Sequence, residues 1–324
     1  MKDKKSLMLF VSSILWVSFC YSQAIDYSPF YRDLNNKKSF RFSYENDFFS
    51  ASDRDYTQGA YLELIHENIG KFFVSRILWH PIKTNQHAGV AVETDGYTPN
   101  LIDRPEVQRN DRPYASTLLV KVFNSGKNSN ARAKITNTLT VGVLGPLAGG
   151  KEIQQSIHRW IGYTKPLGWH NQIRNEPVIN YQLNTEKALA GNNKNLLLTA
   201  IGFARAGNLS TKAAGGFALM VGKFPDPFQG NERPHGAFNI YLYEHAMVNV
   251  VGFDATLQGG LFNNSSPYTI DNSELNRLVL HNRVGVVVSF KTIMLEYWQS
   301  FMTREFKTGI EPKTGGLQIA FRLN

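Results

Sequence analysis

Three short stretches of the chain hold side chains suited to hydrolytic or metal chemistry. Glu45-Asn46-Asp47 and Asp53-Arg54-Asp55-Tyr56-Thr57-Gln58-Gly59 set carboxylates, amides and a hydroxyl close together. Asp and Asn oxygens are hard donors of the kind calcium takes. The same residue types also build Asx turns and solvated loop charges, and the spacing alone separates neither reading. The third stretch, Lys151 to Ile161, reads as a helix with Ile153, Ile157 and Ile161 on one stripe. That stripe is expected to press against a neighbouring element, with Gln154, Gln155 and His158 beside it. A histidine there is either structural or a proton carrier near neutral pH. Asp111-Arg112-Pro113-Tyr114 reads as an ion pair bracing a loop. EF-hand spacing, His-Glu-x-x-His, Gly-x-Ser-x-Gly and the P-loop are all missing from the sequence. A serine hydrolase built on a strand-to-helix turn is therefore not supported.

These stretches need a scaffold, and the dominant period along the chain is two. Ser39 to Phe48 puts Phe40, Phe42, Tyr44 and Phe48 on one face and Arg41, Ser43, Glu45 and Asp47 on the other. Similar runs occur at 56–66, 86–94, 115–124, 135–144, 176–186, 195–206, 213–224, 236–252, 277–290, 292–303 and 314–323. Twelve alternating runs, separated by Gly, Asn, Pro and Lys clusters, predict an all-β protein. Their number is even, and about nine to eleven tilted residues span a bilayer. The fold expected is a closed antiparallel transmembrane barrel of about twelve strands, with a soluble β-sandwich as the alternative. Tyr241, Tyr243, Phe253, Tyr297, Trp298 and Phe301 are read as an interfacial aromatic girdle. The terminal Phe321-Arg322-Leu323-Asn324 lacks the final aromatic common in such barrels.

Composition and the N-terminus agree on export. With 21 Phe, 14 Tyr and 5 Trp in 324 residues the chain is no disordered segment. Lys2, Lys4 and Lys5 precede an apolar run from Leu7 to Phe19, and Cys20-Tyr21-Ser22 supplies a cleavage site. We therefore read 1–22 as a signal peptide and 23–324 as the barrel. Bulky Phe19 argues against a lipid anchor on Cys20, and the mature chain would carry no cysteine and no disulfide. Loss of three Lys and one Asp lowers the net charge from +9 to +7. That surplus suits anionic lipid or phosphorylated glycan, and export excludes nucleic acid. A monomer is expected. Parity places 49–55, 95–114, 145–175, 207–212, 253–276 and 304–313 outside the cell if both termini are periplasmic. The stretch 67–85 is long for a periplasmic turn, apart from an amphipathic piece around Phe72 to Trp79.

Several of these motifs, taken in order, resemble the lipid A 3′-O-deacylase (LpxR) family. They are Glu45-Asn46-Asp47, Asp53 to Gly59, Asp111-Arg112-Pro113-Tyr114-Ala115, Leu144-Gly145-Pro146, Gln154 to His158, Gly168-Trp169-His170-Asn171-Gln172 and Asn175-Glu176-Pro177. They cover about half of the mature chain, and the later half adds only a Thr256-Leu257-Gln258-Gly259 echo. The resemblance implies a twelve-stranded outer-membrane barrel that hydrolyses an acyl chain from lipid A and depends on Ca2+. By the same resemblance Asn46, Thr57 and His158 are catalytic and Asp47 holds the metal, at the extracellular rim. The family has an acid six positions after the histidine; this chain has Thr164, and Glu152 or Glu176 is left as a substitute. Arg104, Arg109 and Arg174 are candidates to meet the phosphates of lipopolysaccharide. Two other functions remain: an outer-membrane phospholipase, which would need a serine beside the histidine, and a non-enzymatic pore or adhesin.

Overall fold

Polar positions of the alternating runs turn inward and apolar positions outward, the reverse of a soluble sandwich. The computed structural model describes residues 37–46, 55–191, 195–229 and 238–323. The expected signal peptide, Asp47, Asp53 and Arg54 lie outside the described residues. All twelve strands form: β1 Ser39–Asn46, β2 Asp55–Ile65, β3 His87–Thr98, β4 Ala115–Asn128, β5 Ala133–Leu144, β6 Glu176–Gly191, β7 Leu196–Gly207, β8 Ser210–Lys223, β9 Asn239–Asp254, β10 Leu278–Phe290, β11 Ile293–Met302 and β12 Lys313–Arg322. Each pairs antiparallel with its sequence neighbours, and β1 closes on β12 from Ser39↔Arg322 to Asn46↔Gly315. Three helices accompany them: α1 Phe73–Ile77, α2 Gly150–Ile161 and α3 Ala255–Gln258. The largest departure in strand length is β6, which runs five residues past its expected end to Gly191, and β3 likewise runs on to Thr98. Gly96 falls within the expected connection 95–114, yet here it sits in the ladder opposite Gln58.

The lumen is packed. In β1 the inward residues Ser39, Arg41, Ser43 and Glu45 are buried, while outward Phe42 is exposed. Arg41 pairs with Glu63 at 3.2 Å, Lys121 with Glu93 and Lys134 with Glu186 at 3.7 Å. Buried charges of this kind persist only when paired. Tyr61, Tyr241, Tyr243, Met220 and Trp298 fill the space between them. This corrects part of the expected girdle: Tyr241, Tyr243 and Trp298 face the lumen, whereas Tyr297 and Phe301 of that group keep the outward alternation. Glycines make room for the rings, since a Cβ at Gly285 would stand 2.6 Å from the Tyr243 ring and one at Gly316 would overlap Trp298.

The long connection between β2 and β3 forms a strap on the outside of the wall. Phe123, Ser125 and Lys127 of β4 are buried toward the lumen, so Asn124 and Gly126 face outward. Asn124 pairs in register with outward Asn137 of β5. Asn124 Nδ2 donates to the Ser75 carbonyl at 2.5 Å, and Asn137 Nδ2 donates to the Trp79 carbonyl at 2.6 Å. Lys127 N–H donates to the Thr84 carbonyl and the Thr84 hydroxyl donates to the Lys127 carbonyl, which fastens the end of the strap. Ile69, Ser75 and Leu78 are buried against the wall, and Phe72, Phe73, Ile77 and Trp79 face away from it. The strap thus satisfies two amides on an apolar wall and replaces them with an apolar surface.

Overpacking the contact beside Trp298 gives a direct test of the packed lumen. Gly316→Ala should destabilise the barrel by about 1–3 kcal/mol, the usual cost of overpacking. Gly215→Ala, which meets nothing within 4 Å, should not. Heat-modifiability on gels, read as the temperature at which the folded band is lost, compares the two.

Candidate functional site

The β5–β6 connection, residues 145–175, folds back over the outer face of the barrel. Gly145 makes the first bend at φ 105°, where a Cβ would stand 2.7 Å from the Arg174 backbone. Gly149, at φ 75°, then starts α2, and Gly162, at φ 71°, ends it. Positive φ is cheap only for glycine, so these three residues set the path of the loop. α2 packs against β3 and β4. Gly150 is tight against outward Ser116, where any Cβ would collide. Beneath the helix, at outward positions of the wall, Gln58, Thr98 and Ser116 are buried. They make a polar island at the rim of an apolar wall.

This island decides which face of α2 turns inward. The buried residues of the helix are Gly150, Gln154 and His158, whereas Ile161 is 59% exposed and Trp160 87% exposed. The expectation that Ile153, Ile157 and Ile161 press against the rim is therefore corrected. The polar residues of the helix are buried and held by their own loop, and Ile153 and Ile161 of the apolar stripe stay exposed. Gln154 Oε1 accepts from Trp169 Nε1 at 2.6 Å. Trp169 in turn packs on Tyr114 with ring centroids 5.1 Å apart. Burial of Tyr114 pushes its phenol up to about 12.

His158 is buried with a defined orientation. Its Nδ1 lies 2.5 Å from the Thr164 carbonyl oxygen, and the Tyr163 ring stands edge-on at 5.1 Å. A carbonyl oxygen only accepts, so Nδ1 carries a proton and Nε2 is the ring nitrogen left facing away from this contact. The reversal at Gly162 brings this carbonyl back: Tyr163 N–H donates to the His158 carbonyl at 2.8 Å, and residues 163–164 fold under the helix end. Neither proposed substitute acid does this work. Glu152 is exposed on α2, and Glu176 accepts from the Phe262 backbone at 3.0 Å, inside the packing of another loop.

Asn46 ends β1 at the same rim, on the same outer face by alternation, and its Nδ2 donates to the Tyr44 hydroxyl at 3.4 Å. The backbone of Thr57 occupies a β-bulge of β2, between the pairs Tyr56↔Tyr97 and Gln58↔Gly96. Bulges recur beside active sites because they re-aim side chains. Asp47 follows Asn46 and lies outside the described residues. Among the described residues no group of three His, Cys, Asp or Glu suits a metal. Arg112 does not pair with Asp111 as expected. It pairs inside the barrel with Glu305, donates to Thr256 Oγ1 at 2.8 Å and stacks over Tyr97. Asp111 instead accepts from the Asn100 and Arg112 backbones. Arg104 and Arg109 line an open cleft in the β3–β4 connection. That connection is tied to the site loop by Leu167 N–H to the Ile102 carbonyl and Asn171 Nδ2 to the Pro105 carbonyl. The sequence pattern missed Gln154, Trp169 and the Thr164 carbonyl as parts of one unit. A backbone acceptor leaves no residue-type signal.

Comparison with known proteins agrees with this architecture. A family model described as outer membrane protein LpxR matches residues 9–323. The structure of LpxR from Salmonella typhimurium superposes with a TM-score of 0.73 at 23% identity, covering 88% of this chain and 100% of that one. The β domain of the Bordetella autotransporter BrkA gives a TM-score of 0.44 at 10% identity, covering 88% and 99%. No curated protein matches.

The loop packing has a checkable consequence at Gly168, where a Cβ would stand 2.5 Å from the Tyr114 ring. Gly168→Ala should loosen the 165–172 segment while leaving the barrel intact. Limited proteolysis should then cut this loop several-fold faster at unchanged heat-modifiability.

Proposed function

The chain belongs to the family of the outer membrane protein LpxR, and from that premise we propose that it is an outer-membrane esterase removing an acyl chain from lipid A. His158 is the general base, and one observation carries this reading. The Thr164 carbonyl fixes the proton on Nδ1 and leaves Nε2 to take a proton from water. As that proton moves to Nε2, the water oxygen bonds to the ester carbonyl carbon. Collapse of the tetrahedral intermediate then breaks the bond to the sugar oxygen, which regains the proton from His158. The products are a fatty acid and a free sugar hydroxyl.

Asn46 and Thr57 orient the water and the carbonyl. Asp47 and its sequence neighbour Asn46 supply hard oxygens of the type calcium takes. Bound there, the ion supplies Lewis-acid polarisation of the ester carbonyl. Arg104, Arg109 and Arg174 meet the lipid A phosphates, and the site opens at the extracellular rim, where that lipid resides. The signal peptide 1–22 directs the chain across the inner membrane.

The two other readings have less support. A serine–histidine pair does occur, with His281 Nε2 2.9 Å from Ser300 Oγ, but it faces the lumen and Ser300 is fully buried. A phospholipase built on that pair would have no lipid to act on. An open pore conflicts with a lumen filled by Tyr243, Arg283 and Trp298.

Acyl release from purified lipid A, followed by mass spectrometry, tests the proposal. His158→Asn should lower turnover at least ~10²-fold, the usual scale of a general base, in a barrel that still shifts on heating. Near-wild-type turnover would remove His158 from the reaction. Asp47→Ala and chelation should both abolish activity, and added calcium should restore only the chelated wild type. Thr164→Ala keeps the backbone carbonyl and should leave the rate nearly unchanged. Gly162→Ala should lower it, because a left-handed position costs other residues about 1–2 kcal/mol and the turn would shift.

A further inference from the structure

The chain covers one polar patch on its lipid-facing wall and leaves a second one open. Asn124 and Asn137 lie under the strap. On the opposite wall, Glu244 of β9, Asn282 of β10 and Gln299 of β11 also face outward. Their chain neighbours Tyr243, His245, Arg283, Trp298 and Ser300 are buried toward the lumen. Apolar outward residues stand on both sides of each along its strand. These are Ile240, Leu242 and Val248 on β9, Leu280 and Val284 on β10, and Ile293, Leu295 and Phe301 on β11. The three polar residues therefore sit within the membrane-spanning band rather than at its edge. Glu244 Oε1 accepts from Asn282 Nδ2 at 2.8 Å, and Gln299 Nε2 donates to the Tyr297 hydroxyl at 3.2 Å. Among the described residues no segment crosses over them.

We infer that this patch is the interface with a second copy of the same chain, formed within the outer membrane. Ionisable and amide side chains at membrane depth are costly against hydrocarbon and typically mark contacts with protein. The patch is self-complementary, with a carboxyl group that accepts and two amides that donate. A two-fold axis along the membrane normal would set Glu244 of each copy against Asn282 and Gln299 of the other, as an isologous contact requires. Val284 pairs in register with both Glu244 and Gln299 and so falls near that axis. The ring order favours this occupant too. In a closed sheet of twelve strands β10 lies six strands from β4, so pairing through β9–β11 leaves α2 of both copies on the far sides. This assignment replaces the monomer expected from the sequence, and it does not depend on the proposed reaction.

The test is cysteine cross-linking in intact outer membranes, with the full chain at native expression. Val284→Cys should give a covalent dimer on mild oxidation, and Val141→Cys on the opposite wall should not. Adding Glu244→Leu, Asn282→Leu and Gln299→Leu to Val284→Cys should reduce that dimer several-fold, in a barrel that still shows heat-modifiability. If the triple change prevents folding, Glu244→Gln with Val284→Cys serves instead, since it keeps an acceptor and should retain the dimer. Equal cross-linking at Val284 and Val141 would overturn the inference. So would an adduct to a protein of different mass, or dimer formation unaffected by the triple change.

Discussion

A backbone that crosses hydrocarbon must satisfy its own N–H and C=O groups, and joining β1 to β12 meets that demand here. Closure creates an inside and an outside, and the remaining structure follows from how each is treated. Inside, water is largely replaced by side chains, so Arg41, Lys121 and Lys134 are held by carboxylates and glycines yield space to Tyr243 and Trp298. Outside, any polar group must be covered or partnered. The strap covers Asn124 and Asn137, and α2 covers Gln58, Thr98 and Ser116.

The candidate site grows out of the second of these coverings. A helix laid on an apolar wall would ordinarily turn its apolar face down. α2 does the opposite: it buries Gly150, Gln154 and His158 where the wall carries the buried polar residues Gln58, Thr98 and Ser116 at its rim. The inversion buries Gln154 and His158 on the inner face of the helix. There Trp169 and the Thr164 carbonyl hold both side chains in single orientations. Orientation of this kind is what general-base chemistry requires.

The strands were largely legible in the sequence because a period of two survives burial of either face. Which face was buried was also legible in β1, where Arg41, Ser43 and Glu45 could not face lipid. Aromatic residues misled, since Tyr243 and Trp298 suit an interfacial belt and a packed lumen equally well. The stripe of α2 misled for a related reason: periodicity locates an apolar face but not the medium it meets. The strap was unreadable because its purpose depends on Asn124 and Asn137, which neighbour it only in the folded sheet. Thr164 looked like a defect in the site because side-chain patterns do not record carbonyl oxygens. Asn46 and Thr57 stood out by resemblance to a family, and the β-bulge at Thr57 has no signature in residue type.

The placement of α2 on the flank of the barrel, rather than across its mouth, changes how encounter with a lipid is counted. A molecule reaching α2 travels sideways within one leaflet, in two dimensions. The controlling variable is then its mole fraction in the surface, and its amount per millilitre matters little. Mixed micelles that dilute the lipid with detergent would slow such an enzyme at constant bulk concentration. A water-soluble ester of identical chemistry would meet the exposed Trp160 and Ile161 without the surrounding chains that the stripe is shaped to join.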